Sequence, residues 1–165
     1  MIIRIKNQKV YFDANFLIYL SISKKPSLKK QARILFGKLL SNKNKLFLSP
    51  LSFDEAWWGI KNEYNIQNST TLSCCDVPIY SELEQFTTDI LPKAELAQFL
   101  DAKKGTKRAL EFLSRFRLRP RDAFHLAMMI DNKIFILISD DGDFIRNVKG
   151  QKIDGKRVNV ISLSV

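Results

Sequence analysis

Short runs of consecutive apolar residues constrain this chain more than any other feature. They are Val10-Tyr11-Phe12, Leu46-Phe47-Leu48 after Lys45, Ile134 to Ile138, and the nearly continuous Val158-Asn159-Val160-Ile161. A strand with one wet face alternates apolar and polar residues, whereas a run that is apolar throughout is buried on both faces. That pattern predicts an α/β fold, a parallel-stranded sheet covered by helices on both faces. The intervening segments supply the helices. Asp13 to Leu20 has helix-compatible spacing, and Leu28 to Leu40 places Ala32, Leu35, Phe36 and Leu39 on one face. Ser49-Pro50 or Ser52 opens a third helix with a Phe53, Trp57, Ile60, Tyr64 stripe, which gives way to a polar stretch from Asn65 to Cys75. Residues 79 to 117 read as two or three helical pieces punctuated by Pro92 and Gly105, Arg119-Pro120 opens a helix to about Asp131, and Asp140 to Phe144 reads as a turn or short helix. A length of 165 residues fits one domain spanning 1–165.

Several function classes drop out at once. The two cysteines, Cys74 and Cys75, are neighbours and can form neither a disulfide framework nor a multi-cysteine zinc site. There is no apolar run of membrane-spanning length and no signal-peptide pattern at the start, which predicts a cytoplasmic protein with no membrane partner. Glycine-rich phosphate loops are absent too. The net charge is +10, which suits a polyanionic partner. Its distribution is uneven: residues 1 to 50 hold eleven lysines and arginines against the single acid Asp13, while residues 51 to 100 are acidic.

Ligands of a parallel α/β sheet bind beyond the carboxyl ends of the strands. The residues at those ends and at the adjoining helix starts are acids: Asp13, Glu55, Asp122 and Asp141, with Asp54, Asp140 and Asp143 as neighbours. Each has an ordinary explanation. Asp13 suits a helix N-cap, Ser52-Phe53-Asp54-Glu55 matches a capping box, Asp122 suits the first turn after Pro120, and Asp141-Gly142 suits a tight turn. Together, though, such carboxylates at one sheet edge would repel unless a cation sat among them, and an all-oxygen set suits Mg²⁺ or Mn²⁺.

In chain order these residues resemble a PIN-domain ribonuclease, most closely the VapC-type toxin of toxin-antitoxin pairs. The resemblance rests on Val10-Tyr11-Phe12-Asp13-Ala14-Asn15-Phe16-Leu17-Ile18, on Glu55-Ala56-Trp57-Trp58-Gly59, on Leu118 to Ala127 with its Arg119-Pro120-Arg121-Asp122, and on Ile138-Ser139-Asp140-Asp141-Gly142-Asp143-Phe144. It implies a PIN-like, Rossmann-like three-layer fold. It also implies an endoribonuclease in which Asp13, Glu55, Asp122 and Asp141 hold one or two Mg²⁺ or Mn²⁺ ions, with Asn15 and Ser139 in support and Asp143 as an auxiliary acid. A small antitoxin partner and often a homodimer belong to the same expectation. Two residues depart from the pattern: Ala14 stands where a hydroxyl residue is common, and Asp54 where a small apolar residue usually precedes the glutamate, which leaves Asp54 and Glu55 as alternatives for that ligand.

For RNA contacts the expected residues are Arg115, Arg117, Arg119 and Arg121, which alternate just before Asp122, and then Lys24, Lys25, Lys29 and Lys30. Trp57 and Trp58 are expected to pack, with stacking on a base as the alternative for one at a pocket rim. The sole histidine, His125, is expected in the core, and the cysteines have no assigned role. Two other readings compete: a PIN fold kept as a weak or silent RNA-binding or protein-interaction module, and a phosphoacceptor receiver domain. The second wants paired acids after the first strand and a lysine after the last, and neither is clear here.

Overall fold

The computed structural model describes residues 5–22 and 26–163, so Lys24 and Lys25 lie outside the described residues. In chain order the strands are β1 (Lys9–Phe12), β2 (Lys45–Leu48), β3 (Glu95–Leu96), β4 (Ile136–Ile138), β5 (Lys152–Ile153), β6 (Lys156–Arg157) and β7 (Asn159–Ile161). The helices are α1 (Ala14–Ile22), α2 (Pro26–Ser41), α3 (Pro50–Asn68), α4 (Val77–Ile90), α5 (Ala102–Phe116) and α6 (Pro120–Asp131). Five strands form one parallel sheet in the order β3-β2-β1-β4-β7, and β5 and β6 make a separate antiparallel pair.

The expected double burial is realised residue by residue. Val10, Phe12, Leu46, Leu48 and Ile138 pack into one core with residues of α1 to α4. Tyr11, Phe47, Leu137 and Val160 point the other way, into a second core with α5, α6 and the π-helical turn Phe144–Val148. Successive strand side chains alternate faces, so strands apolar at every position feed both cores.

The sequence expectation and the structure differ most between residues 65 and 105. α3 continues to Asn68, where Ser69 in left-handed conformation ends it, so the polar stretch begins inside a helix. Within 79–117 lies a strand, β3, both of whose side chains are exposed. Backbone pairing with β2, extended by Ala97 N–H donating to the Leu48 carbonyl at 2.6 Å, makes this strand, and so no side-chain pattern announces it. Gly105 lies in the first turn of α5, because the Phe99 ring occupies the space where a Cβ would project.

Chain order reverses at β1, since β2 and β3 lie to one side of it and β4 and β7 to the other. This switch point sets the site. Asp13 N–H donates to the Ile138 carbonyl at 3.1 Å, which brings the carboxyl end of β1 beside that of β4.

Candidate active site

Four elements deliver acids to one cleft of about 600 Å³, whose lining includes Asp13, Glu55, Asp122 and Asp141. Asp13 leaves β1 as α1 begins. Its carboxylate accepts from Ala14 N–H at 2.7 Å, from Asn15 Nδ2 at 3.3 Å and from Ser139 Oγ at 2.7 Å. It therefore serves the helix start and faces the cleft at once. Only 4% exposed, it is pushed upward in pKa chiefly by burial, with the nearby His125 and the Ser139 hydroxyl pulling the other way.

Glu55 is not the capping residue that its spacing from Ser52 suggests. The box closes one turn earlier: Ser49 Oγ accepts from Ser52 N–H, and Ser52 Oγ accepts from Ser49 N–H, both at 3.2 Å. Pro50 then occupies the first helical position, and Glu55 is left in the second turn, where it lines the cleft. Gly59, one turn on, lets α3 close against Ile18 of α1, whose side chain fills the space a Cβ at 59 would need. Asp54 is largely exposed and pairs with Arg121 at 3.4 Å, outside the set of acids that line the cleft.

Asp122 sits in the first turn of α6, where the helix dipole favours an anion. It is 9% exposed, and its Oδ2 is buried without a hydrogen-bond partner among the described residues. Burial, followed by the charges of Asp141 and Asp13, raises its carboxyl to about 6. Asp141 Oδ1 accepts from Asp143 N–H at 2.6 Å, so Asp141 caps a short helix that begins at Gly142 rather than making a tight turn, and Ser139 Oγ accepts from Asp141 N–H at 3.0 Å. Ser139 thereby ties Asp13 to Asp141.

Ligand atoms fall into two groups, each within a 4.8 Å span: Asp13, Glu55 and His125, and Asp122, Asp141 and Asp143. Four carboxylates lining one cleft, one of them with a buried unpartnered oxygen, form a set that a hard divalent cation would satisfy and that mutual repulsion otherwise disfavours. The residues present thus fit Mg²⁺ or Mn²⁺.

Sequence reading found no role for His125 beyond packing. It is fully buried, yet its Nε2 lies 3.4 Å from Glu55 Oε2 and its Nδ1 lies 2.6 Å from the Tyr11 hydroxyl, which in turn donates to Ser49 Oγ at 2.7 Å. The signal was the i, i+3 spacing from Asp122, which puts both on one helix face. Of the four arginines, Arg119 and Arg121 line the cleft, where Arg121 Nη1 is 3.7 Å from Glu55 Oε1 and Arg119 Nε is 3.6 Å from Asp143 Oδ2. Asp143 also accepts from Arg146 at 2.7 Å. Arg115 stacks over Phe116 and pairs with Glu111, and Arg117 caps α5 in left-handed conformation. Lys29 and Lys30 lie on α2, away from the residues that line the cleft.

No curated protein matches the chain. Among solved structures, a chain in the crystal structure of VapBC2 from Rickettsia felis bound to a DNA fragment from their promoter has the same fold. The TM-score is 0.57 at 14% identity, covering 94% of this chain and 98% of that one. The family model described as PIN domain matches residues 10–150, from the start of the central strand to beyond the last of the clustered acids, and the chain belongs to the PIN domain family.

Proposed function

We propose that this protein is a metal-dependent endoribonuclease, the toxin of a toxin-antitoxin pair. The observation that carries the reading is the convergence of Asp13, Glu55, Asp122 and Asp141 on one cleft, where Asp122 Oδ2 is buried without a hydrogen-bond partner among the described residues. Those four residues, with Asp143, would hold Mg²⁺ or Mn²⁺. The cation supplies an activated water and neutralises charge on the scissile phosphate. The chain's own residues do the rest. Ser139, Asn15 and the Ala14 N–H fix the Asp13 carboxylate, and Ser139 does the work a hydroxyl at position 14 would share. His125 faces Glu55 from the buried side. Arg119 and Arg121, exposed at the cleft and close to its acids, provide cations for the phosphates flanking the cut.

The toxin role rests on PIN family membership and on the fold shared with the VapBC2 chain. It brings with it a small antitoxin partner, a homodimer and a cytoplasmic setting. Among the described residues no helix is long and apolar enough to cross a membrane. The test is cleavage of RNA by purified protein with Mg²⁺ or Mn²⁺. Asp122→Asn and Asp141→Asn should each abolish cleavage while leaving the circular dichroism spectrum unchanged. Undiminished cleavage in both variants overturns the reading.

A further inference from the structure

Resting on the nuclease reading, we propose that the amino edge of the sheet, at the opposite end of the strands from the cleft, is a second surface for RNA. It grips the phosphate backbone of a substrate long enough to extend beyond the cleft. Six exposed cations build it: Lys45 at the start of β2, Lys9 at the start of β1, Lys133 just after α6, and Lys152, Lys156 and Arg157 on the β5-β6 hairpin. Backbone and side-chain contacts join them into one surface. Lys9 and Lys45 are register partners in adjacent parallel strands, about 4.8 Å apart along the backbone. Lys9 Nζ donates at 3.0 Å to the carbonyl of Asn132, the residue before Lys133. Asn159 N–H donates to the Phe135 carbonyl at 2.8 Å and Lys156 Nζ lies 5.3 Å from the Phe135 ring centroid, which sets the hairpin against the entry to β4. Within the hairpin Lys152 is paired with Arg157.

Two of these pairings set like charges side by side, Lys9 with Lys45 and Lys152 with Arg157. Like-charged neighbours across strands cost stability, so the fold gains nothing from them. Cations suit the carboxyl terminus of α6, which accounts for Lys9 and Lys133 but gives no reason for the three on the hairpin. The acids nearby are already engaged: Glu95 with Lys45 at 3.7 Å, Asp154 with a further cation, Arg108, at 3.1 Å, and Asp131 with the Leu100 N–H at 2.8 Å. The surplus therefore stays positive. Lys9 Nζ stands 5.5 Å from the Phe47 ring centroid, as Lys156 stands over Phe135, so ammonium groups cover both rings beneath the edge. A protein partner is anchored by apolar side chains seated in pockets, whereas nucleic acid is held by cations on its phosphates, and charge without an open ring favours the nucleic acid. β1 and β2 are four residues long, so roughly 13 Å of sheet separates this edge from the cleft, a span that RNA running out of the cleft can cover. Contacts at both ends then raise affinity by effective concentration.

The probe is a labelled mixed-sequence RNA of roughly 40 nucleotides in EDTA, so that binding is read by anisotropy, without cleavage, against ionic strength. The triple variant Lys45→Gln, Lys152→Gln, Arg157→Gln alters exposed side chains and should lower affinity on the order of 10-fold. It should also flatten the slope of log affinity against log salt by about 2, for three phosphate contacts at about 0.7 each. A control triple, Lys30→Gln, Lys38→Gln, Lys93→Gln, removes the same charge from α2 and the turn Leu91–Lys93 and should lose much less. Both variants should keep the wild-type circular dichroism spectrum and Tm. Equal losses in the two triples, or no loss in the edge triple, overturn the proposal. An edge triple that binds RNA normally but no longer binds polyglutamate or phosphatidylserine vesicles also overturns it, and assigns the edge to an acidic protein or a membrane. RNA binding that the edge triple loses, in a protein whose wild type shows no metal-dependent cleavage, leaves the edge standing and removes the nuclease reading. Metal-dependent cleavage by the wild type with an unaffected edge triple does the reverse.

Discussion

Replacing Asp122 by Asn should stabilise the metal-free protein, the reverse of the usual effect of altering a nearly buried polar group. The Asp122 carboxyl is raised from 3.8 to about 6 by burial and by the charges of Asp141 and Asp13, so ionising it in the folded state carries a cost absent from the unfolded chain. At about 1.4 kcal/mol per unit, a rise of roughly two units amounts to ~3 kcal/mol for a fully shielded group. Asp122 lines an open cleft, and solvent screening there reduces the figure to about 1 kcal/mol. For a chain of this size that corresponds to a Tm increase of about 3 °C. The sign with pH follows. A raised carboxyl disfavours the folded state once ionised, so the wild type should lose stability as pH rises from the ordinary carboxylate range through about 6, and Asp122→Asn should lose less. Mn²⁺ should reverse the order. Binding to the ionised cluster adds about 2.7 kcal/mol at a hundredfold excess over Kd, a gain the variant forfeits. Thermal unfolding near pH 5 and near pH 7, in EDTA and in Mn²⁺, reads all of this. A metal-free variant less stable than wild type at neutral pH, or one that gains as much from Mn²⁺, would mean that an ionised Asp122 does not burden the fold.

Three further outcomes are open to measurement. Ser139→Ala removes the 2.7 Å bond to Asp13 and the 3.0 Å acceptor for Asp141 N–H; urea unfolding should show a loss of about 1–3 kcal/mol and calorimetry a Mn²⁺ affinity lower by about 10-fold. Tyr11→Phe deprives His125 Nδ1 and Ser49 Oγ of their phenol partner inside the core and should cost about 1–2 kcal/mol in the same unfolding assay. Arg121→Gln, at an exposed side chain, should leave stability within about 0.5 kcal/mol while reducing the salt dependence of RNA binding by about one phosphate contact, read from affinity against ionic strength.

The acids were legible in the sequence for a physical reason. A parallel sheet presents its ligands beyond its strand ends; Asp13 directly follows β1 and Asp141 comes three residues after the end of β4, both strands that their apolar runs identify. Glu55 was harder to interpret because two serines three residues apart and a serine three before a glutamate both satisfy the capping pattern; only the observed start at Pro50 frees Glu55 for the cleft. The arginine series divides because the run crosses the left-handed residue Arg117 that ends α5, so that Arg119 and Arg121 line the cleft and Arg115 does not. β3 is held by backbone pairing with β2 and one exposed ion pair, Lys45 with Glu95 at 3.7 Å, and had no apolar side-chain signature. Trp57 and Trp58 are indistinguishable by composition, yet Trp57 lies where α3 meets α4 and donates from Nε1 to Thr87 Oγ1, whereas Trp58 is exposed in the lining of the cleft.

Whether the clustered carboxylates form a divalent-cation site is decided by calorimetric titration of Mn²⁺ into EDTA-stripped, desalted protein, wild type against the Asp13→Asn, Asp141→Asn double variant. A saturable heat in the wild type that disappears in the double variant is the expected result. No saturable heat in the wild type, or the same heat in both proteins, would contradict such a site.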